Sequence, residues 1–303
     1  MKNVLVTGAT GFVGRHALAP LTLRFDEVHA VSRTPHERDP AGVRWHRVDL
    51  FREDEVEAVL SAIRATHLLH FAWSVPPGSF WTSPENDRWA AAGAALFKSF
   101  LLAGGRRIAA AGSCAEYDWS QGLCSEATTP LDPTTLYGAA KNRLRASLEA
   151  LARRSGTSAA WGRIFFLYGP GERPERLVAS VARSLLKGEE AKTGPGTLAR
   201  DFLYVEDVAL AFVSLLDSKV EGPVNVGSGT PTTVAEIAGL IARRVGREDL
   251  LRIGARPAGE EEPPLVVADV TRLEREVLWC PRYTLESGLD HTIVWWKHAL
   301  GPA

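Results

Sequence analysis

The chain has 303 residues, of which 45% are apolar and 23% are charged, and its formal net charge is −1. This length allows one large domain or two, and the near-neutral charge argues against electrostatic capture of nucleic acid or of an anionic membrane. Three cysteines without metal-ligand spacing, and no apolar run near the ~20 residues of a membrane span, predict a protein of the reduced cytoplasm.

Short apolar segments alternate with helix-length segments from the amino terminus onward. The predicted strands are KNVLVTG, EVHAVS, VRWHRVD, HLLHFAW, RRIAAAG and AAWGRIFFLYG. Strands too apolar to be half exposed, alternating with helices, predict an α/β fold with a Rossmann-type, doubly wound parallel sheet. After Pro170 the chain is richer in proline, glycine and charge, so we expect a first domain at 1–170, regaining about 204–227, and a smaller mixed α/β region at 171–303.

The first predicted strand ends in a glycine-rich turn, VTGATGFVGRH, which opens a helix. Gly8, Gly11 and Gly14 are spaced three apart, so backbone N–H groups can approach a pyrophosphate at the positive end of that helix. In this position the turn predicts a dinucleotide cofactor, and the alternative is a tight turn without a ligand. Further cofactor contacts expected from this turn are Thr10, Phe12 and Val13.

The end of the second strand bears on the choice of nicotinamide cofactor. A site for NAD has an acid there, which holds the ribose 2′-hydroxyl, whereas this chain has Ser32 and Arg33. A hydroxyl and a guanidinium can hydrogen-bond a 2′-phosphate, so we expect NADP(H), with NAD possible and a solvated loop arginine as the alternative. Asp49 and Leu50 close the third strand, where an adenine would lie.

A long helix is predicted in DPTTLYGAAKNRLRASLEALARRSG, with Asp132 as its N-cap and Pro133 in its first position. Tyr137 and Lys141 are four residues apart, so they share one face of this helix. A neighbouring ammonium and a positive nicotinamide ring lower the pKa of a phenol from its usual value near ~10, which suits acid/base chemistry. Ser113, at the end of an earlier strand, would complete such a site.

These motifs resemble the extended short-chain dehydrogenase/reductase family, in its branch of NAD(P)-dependent epimerases and dehydratases of nucleotide sugars. TGATGFVG is similar to the family's cofactor turn, YGAAK to its catalytic motif, and RIFFLYGPG to the strand and turn that follow. RDFLYVEDVA and NVGSGTPTTVAEIA are similar to its C-terminal signatures. The resemblance implies Tyr137 as acid/base, Ser113 as partner of the substrate oxygen, and Lys141 as ligand of the nicotinamide ribose. It makes 1–170 the dinucleotide-binding domain and 171–303 the substrate-binding region.

The resemblance also implies contacts at the nucleotide end of the substrate. Arg200 and Arg256 match family positions that bind a pyrophosphate, and an ordinary ion pair with its neighbours is the alternative for Arg200. Leu177 would pack on the base. Glu260 is a further candidate, as a ribose ligand, although its spacing from Arg256 is one residue longer than in some relatives.

The segment FAWSVPPGSFW follows the fourth strand and is expected to line the ligand pocket. We expect Phe71, Ala72 and Trp73 to contact the cofactor and Ser74 to contact the substrate. Trp73, Ser74 and Trp81 either face the sugar or pack within the protein.

Two related activities are not expected. The family's 4,6-dehydratases have an Asp-Glu pair after the serine, whereas this chain has Cys114 and Ala115, and Glu116 would face away on an extended segment. The bifunctional epimerase-reductases have a cysteine where this chain has Ala115, and YGPGERPERL has no histidine. Cys114 is then most simply a small packing residue, although it lies where a substrate contact is expected. Asn86 lies about one turn from the place of the family's water-binding asparagine, which puts such a relay in doubt.

The remaining chemistry is redox at one sugar carbon. NADPH-dependent reduction of the 4-keto group of a nucleotide-activated 6-deoxy sugar is favoured, and an NAD-dependent 4-epimerase is the alternative. A non-catalytic NADP-binding sensor would not need Ser113, Tyr137 and Lys141, and a reductase of small carbonyl compounds would leave two arginines without a pyrophosphate. The helix from Asp132 to Ser155 and the segment WAAAGAALFKSFLLAGG resemble the pair that forms the family's dimer contact, so a homodimer is expected.

Overall fold

The computed structural model describes residues 2–34, 41–257 and 262–301. The strands are β1 (Asn3–Thr7), β2 (Glu27–Ser32), β3 (Val43–Arg47), β4 (His67–His70), β5 (Arg107–Ser113), β6 (Leu123–Cys124), β7 (Ser158–Ile164), β8 (Phe166–Tyr168), β9 (Ala191–Lys192), β10 (Ala199–Tyr204), β11 (Gly222–Val226), β12 (Pro231–Thr233), β13 (Leu251–Arg252) and β14 (Leu265–Ala268). The helices are α1 (Gly14–Thr22), α2 (Glu53–Ile63), α3 (Glu85–Leu102), α4 (Leu136–Ser155), α5 (Leu177–Leu186), α6 (Val205–Asp217), α7 (Val234–Val245), α8 (Thr271–Arg275) and α9 (Leu285–Leu300). Within these ranges, none of the helices combines the length and the apolar character needed to cross a bilayer.

The main sheet has seven parallel strands in the described part of the chain, in the order β11-β7-β5-β4-β1-β2-β3. One face is covered by α1 and α6, whose apolar side chains form a core with β1, β2 and β11. The other face is covered by α2, α3 and α4. Because helices bury both faces, the side chains of the central strands β1, β4, β5 and β7 are almost all buried. The predicted α/β class and doubly wound parallel sheet are confirmed.

The segment AAWGRIFFLYG, predicted as one strand, is two strands that belong to different sheets. β7 pairs with β5 and β11 in the main sheet, whereas β8 pairs with β10 in a second sheet of order β12-β10-β14-β6. The change occurs at Phe165, whose N–H donates to the carbonyl of Val226 at 3.1 Å. The prediction of one strand was wrong because an apolar run indicates extended backbone and does not indicate which strand lies beside it.

One buried carboxylate joins the two C-terminal signature segments. Asp201, in β10, accepts hydrogen bonds from Ser228 N–H at 2.6 Å, from the Ser228 hydroxyl at 2.7 Å and from Gly229 N–H at 2.9 Å. It also accepts from the N–H of Ala268 in β14 at 3.1 Å. The loop after β11 is thereby fixed against the second sheet, so RDFLYVEDVA and NVGSGTPTTVAEIA meet in space.

Candidate active site

The glycine-rich turn after β1 passes very close to the end of β4. Gly8 has a φ of +67°, and a Cβ at this position would lie 2.6 Å from the backbone nitrogen of Ala72. A Cβ on Gly14 would collide with the carbonyl oxygen of Gly8, and the N–H of Gly11 donates to that oxygen at 2.9 Å. Only glycine permits this path, which leads into the amino terminus of α1 and forms a cradle that suits a dinucleotide pyrophosphate.

A cavity of about 420 Å³ opens beyond this turn, at the carboxyl ends of β1, β4, β5 and β7. Open α/β sheets bind their ligands at this edge. The predicted site residues that line the cavity are Gly8, Gly11, Phe12, Val13, Gly14, Phe71, Trp73, Trp81, Ser113, Cys114, Tyr137, Lys141, Leu177 and Arg200. The predicted residues that lie outside its lining are Thr10, Ser32, Arg33, Asp49, Leu50, Ala72, Ser74 and Arg256.

Four residues of that second group lie at the neighbouring carboxyl ends of β2 and β3. Ser32 is the last residue of β2, its carbonyl accepts from the N–H of Val48 at 3.0 Å, and Arg33 beside it is exposed. The N–H of Asp49 donates to Glu55 Oε2 at 2.8 Å. These side chains lie beyond β1 on the side of the sheet edge where the adenosine half of a dinucleotide is bound in this fold class.

Tyr137 is positioned by the first turn of α4. The predicted N-cap Asp132 is wrong, because α4 begins at Leu136 and the hydroxyl of Thr135 accepts from the N–H of Gly138 at 3.0 Å. Residues 132–135 stay outside the helix, and the N–H of Tyr137 donates to the carbonyl of Trp81 at 3.1 Å.

Ser113 lies opposite, at the end of β5. Its hydroxyl accepts from the N–H of Ala115 at 3.2 Å, which begins a short 3₁₀ turn over residues 114–116. The first turn of α4 packs so closely on this turn that a Cβ on Gly138 would overlap the carbonyl of Ala115. This contact places Ser113 and Tyr137 together in the lining of the cavity.

Burial raises the pKa of Tyr137, and the hydrogen bond with Ser113 and the charge of Arg176 oppose this rise. The rings of Phe80, Trp81 and Trp73 surround the phenol edge-on, with centroids 5.0, 5.7 and 6.1 Å from its own. The expected lowering of this pKa is therefore not found in the protein alone, because an aromatic enclosure disfavours the phenolate. A neutral phenol is a proton donor.

Lys141 is 3% exposed, and its ammonium donates to the carbonyl of Ala111 at 2.8 Å. The same nitrogen lies 3.9 Å from the centre of the Trp73 ring and 5.9 Å from that of Tyr137. Burial lowers the pKa of Lys141 to about 7, and the charge of Glu116 opposes this effect. Lys141 is thus held by a carbonyl and an indole face near the phenol.

Glu116 and Asn86 are both fully engaged within the protein. The segment 114–116 is a 3₁₀ turn and not the expected extended segment, and it places the Glu116 carboxylate beneath β5. Asn86 is buried, its side-chain oxygen accepts from the indole N–H of Trp73 at 2.9 Å, and its amide donates to the carbonyl of Phe80 at 2.7 Å. Asn86 therefore fixes the indole of Trp73, on which Lys141 lies, and both polar groups of its side chain are hydrogen-bonded within the protein.

The substrate-side residues fall into two groups. Arg200 is 4% exposed, lines the cavity and donates to Glu262 Oε1 at 2.9 Å. Cys114 is buried at the cavity wall, and burial raises the pKa of its thiol. Arg256 is exposed and outside the cavity lining. Its backbone N–H donates to the carbonyl of Thr193 at 2.9 Å. Glu260 lies outside the described residues.

Sequence reasoning missed part of the cavity wall. The additional lining residues include Phe80, Trp119, Phe166, Glu172, Arg173 and Arg176. Glu172 and the two arginines belong to GERPERL, in which only Leu177 was predicted to contact the substrate. Their convergence on the cavity depends on how this loop packs between β8 and α5. The described residues contain no group of three or more His, Cys, Asp or Glu side chains that could hold a metal ion.

Comparison with known proteins identifies the family of this chain. The profile of the family described as NAD dependent epimerase/dehydratase matches residues 4–227. UDP-glucuronic acid decarboxylase 1 of Xenopus tropicalis is 26% identical, over 99% of this chain and 73% of its own length. UDP-glucose 4-epimerase of Corynebacterium glutamicum is 27% identical, over 93% of this chain and 92% of its own. The crystal structure of Thermus thermophilus UDP-glucose 4-epimerase in complex with NAD has a TM-score of 0.84 and 25% identity, covering 98% of this chain and 99% of that one. The expected family and the nicotinamide class of cofactor are confirmed.

Proposed function

Because the chain belongs to the NAD dependent epimerase/dehydratase family, we propose that it uses NADPH to reduce the 4-keto group of a nucleotide-activated 6-deoxyhexose. The observation that carries this proposal is the end of β2, where Ser32 and the exposed Arg33 stand in place of an acid. A carboxylate there would repel a 2′-phosphate, whereas a hydroxyl and a guanidinium attract it. An enzyme that binds the 2′-phosphate selectively uses NADPH, the cofactor that cells use for reductions.

The roles of the catalytic residues follow from their protonation. Tyr137 keeps its proton at neutral pH because burial raises its pKa, so its phenol can deliver that proton to the C4 oxygen. The hydroxyl of Ser113 hydrogen-bonds the same oxygen and holds it beside the phenol. Lys141, with a pKa near 7, orients the ribose of the cofactor and provides positive charge as the phenol loses its proton. Bound NADPH would supply the hydride that C4 receives.

The nucleotide end of the substrate is assigned to the opposite wall. Arg200 would exchange Glu262 for the pyrophosphate, and Leu177, the first residue of α5, would pack on the base. The UDP-sugar names of the two curated relatives support a nucleotide-sugar substrate. To contact the pyrophosphate as well, Arg256 would have to approach it from the exposed loop after β13. Binding energy from this remote anchor would orient C4 for hydride transfer.

Three further properties belong to the proposal. Residues 1–170 with about 204–227 form the dinucleotide-binding domain, and 171–303 form the substrate-binding region. The protein acts in the cytoplasm. It is a homodimer through α3 and α4, which pack side by side along one face of the main sheet.

A 4-epimerase is the second candidate, and the names of the Corynebacterium and Thermus proteins favour it. It would use the same Ser113, Tyr137 and Lys141 groups. The two activities differ in cofactor balance, since an epimerase regenerates its cofactor in each cycle and a reductase consumes one NADPH per product.

That difference defines the test. Purified protein is mixed with NADPH and a panel of UDP-, dTDP- and CDP-linked 4-keto-6-deoxyhexoses, and nicotinamide absorbance is followed together with the sugar product. We expect one NADPH to be oxidised per alcohol formed. Tyr137→Phe should lower turnover by at least ~100-fold with little change in NADPH affinity, because only the transferable proton is lost.

Tyr283→Phe is the matched control, since this hydroxyl bonds Glu206 Oε2 at 3.0 Å outside the cavity lining. It should retain parental turnover. Protein that carries bound NAD⁺ and interconverts 4-epimers without added cofactor would reject the reductase in favour of the second candidate.

A further inference from the structure

One acidic side chain of the cavity wall has no role in the proposed reaction. Glu172 follows β8, is only 6% exposed and lines the cavity. Its Oε2 atom is buried and has no hydrogen-bond partner among the described residues. A buried polar atom without a partner is destabilising, so such atoms are rare in folded proteins and indicate a missing partner such as a ligand.

The loop that carries Glu172 is held at the end next to β8 by two hydrogen bonds. Its N–H donates to the carbonyl of Gly169 at 3.2 Å, and the guanidinium of Arg15 in α1 donates to the carbonyl of Gly171 at 2.9 Å. The carboxyl group lies close enough to the N–H of Ala179, the third residue of α5, for this N–H to lower its pKa. The side chain is therefore held in place by the chain, yet this set of bonds leaves Oε2 unused.

Burial leaves Glu172 mostly uncharged at neutral pH. Burial raises the pKa of Glu172 to about 8, and the charge of Arg176 and the N–H of Ala179 only partly oppose this rise. The same Arg176 acts on the pKa of Tyr137, and its guanidinium lies 5.8 Å from the Phe80 ring, which packs on Tyr137. Glu172 therefore lines the same cavity as the catalytic phenol, and its protonated carboxyl group carries an O–H donor.

Other ionisable groups lie around the loop, and one of them, Lys141, titrates in a pH range close to that of Glu172. From α1, Arg15 holds the loop, and burial lowers the pKa of His16 beside it. From α4, the pKa of Tyr137 is raised and that of Lys141 is near 7.

We propose that Glu172 is a hexose-binding residue, whose carboxylic acid donates a hydrogen bond to an oxygen of the sugar held at Ser113 and Tyr137. This inference rests on the proposed function, because it requires a nucleotide sugar in the cavity. A purely structural role, as a cap of α5, would need only the contact with Ala179 and would not depend on the sugar.

The test compares nucleotide sugars with the nucleotides alone. Full-length parent, Glu172→Ala and Glu172→Gln are titrated calorimetrically with UDP-glucose and dTDP-glucose, each against UDP and dTDP. We expect Glu172→Ala to weaken nucleotide-sugar binding about tenfold and to leave nucleotide binding unchanged. Glu172→Gln keeps an N–H donor of the same shape and should bind as the parent does near neutral pH.

The pH profile separates a donor from a structural residue. As the pH rises through about 8, the parent loses the O–H donor and should lose affinity for the nucleotide sugar relative to the nucleotide. Glu172→Gln should show no such loss, while the titration of Lys141 is common to both proteins. Glu175→Gln, an exposed glutamate of the same loop, is the matched control and should follow the parent at every pH.

Three results would overturn the inference: Glu172→Ala binding as the parent does, Glu172→Gln binding as weakly as Glu172→Ala, or a parent without the pH-dependent loss. Parent protein that binds none of the four probes would overturn it together with the nucleotide-sugar proposal. If Glu172 behaves as expected but no NADPH is oxidised, the reductase assignment fails and the hexose contact stands.

Discussion

Two buried glutamates near the catalytic residues are used in opposite ways. Glu116, beneath β5, accepts from the N–H of Ser113 at 2.8 Å, from the indole of Trp161 at 2.9 Å and from the guanidinium of Arg163 at 2.9 Å. Glu172, in the wall after β8, has one oxygen for which the described residues provide no partner. Both side chains are almost completely removed from solvent.

The contrast indicates how to distinguish a structural acid from one available to a ligand. Burial alone does not distinguish Glu116 from Glu172, and the number of partners supplied by the chain does. Two arginines differ in the same way as the two glutamates. Arg163 is buried and bonded to Glu116 and Tyr117, whereas Arg33 is exposed at the end of β2. We expect loss of a partnered group to lower stability and loss of an available group to lower ligand affinity.

The largest effect should follow replacement of Glu116 by alanine. This change leaves Arg163 buried without its carboxylate, which typically costs about 3–5 kcal/mol of folding free energy. Urea denaturation of parent and variant measures the loss, and Glu175→Ala, an exposed site, should lie within ~0.5 kcal/mol of the parent. A loss below about 1 kcal/mol for Glu116→Ala would remove the distinction between the two glutamates.

A smaller effect is expected in the pH dependence of stability. Burial raises the pKa of Glu172 to about 8, so the folded chain holds a proton that the unfolded chain releases near pH ~4.3. The stability that this proton contributes is complete below the lower value and is lost as the pH rises through the higher one. From about pH 6 to about pH 9, the parent should lose about 2–3 kcal/mol relative to Glu172→Gln.

Denaturant titrations at several pH values provide that comparison. The lowered pKa of Lys141 contributes in the opposite direction, but it is present in both proteins and cancels in the difference. Parallel stability profiles for parent and Glu172→Gln would mean that the carboxyl group is already ionised in the folded chain.

The smallest effect concerns the exposed cation. Arg33→Asp should narrow the preference for NADPH over NADH by about tenfold, or about 1.4 kcal/mol, and should leave thermal stability unchanged. Arg275→Asp makes the same charge change on α8, and it should leave the preference as in the parent. Equal dissociation constants of the parent for the two cofactors would contradict the assignment of Arg33.

Local patterns predicted much of this molecule, and packing between distant segments decided the rest. The turn at Gly8 and the pairing of Tyr137 with Lys141 are encoded within a few residues, so their spacing was sufficient. The start of α4 was misplaced because Asp132 and Thr135 are both good N-cap residues. The choice between them depends on the contact of the helix with the 3₁₀ turn after Ser113.

Glu172 could not have been identified from its neighbours in sequence. In GERPERL it lies among exposed charges, and its burial depends on Arg15 of α1 and on the amino terminus of α5. Trp73 is a similar case. Its ring lies on Lys141 because Asn86 accepts its indole N–H, a bond between two segments that the sequence shows only as strand end and helix start.

The passage of one extended segment from the main sheet into the second has a consequence for how the chain can be divided. β7 borders β11, and β8 borders β10, so both partners come from beyond residue 170. A fragment ending at that residue would expose two unpaired strand edges and one sheet face covered only by α1, since α6 would also be missing. Such edges promote aggregation. The amino-terminal half is therefore not an autonomous folding unit, and any recombination of cofactor and substrate regions between relatives would have to exchange β10, α6 and β11 together with the segments they cover.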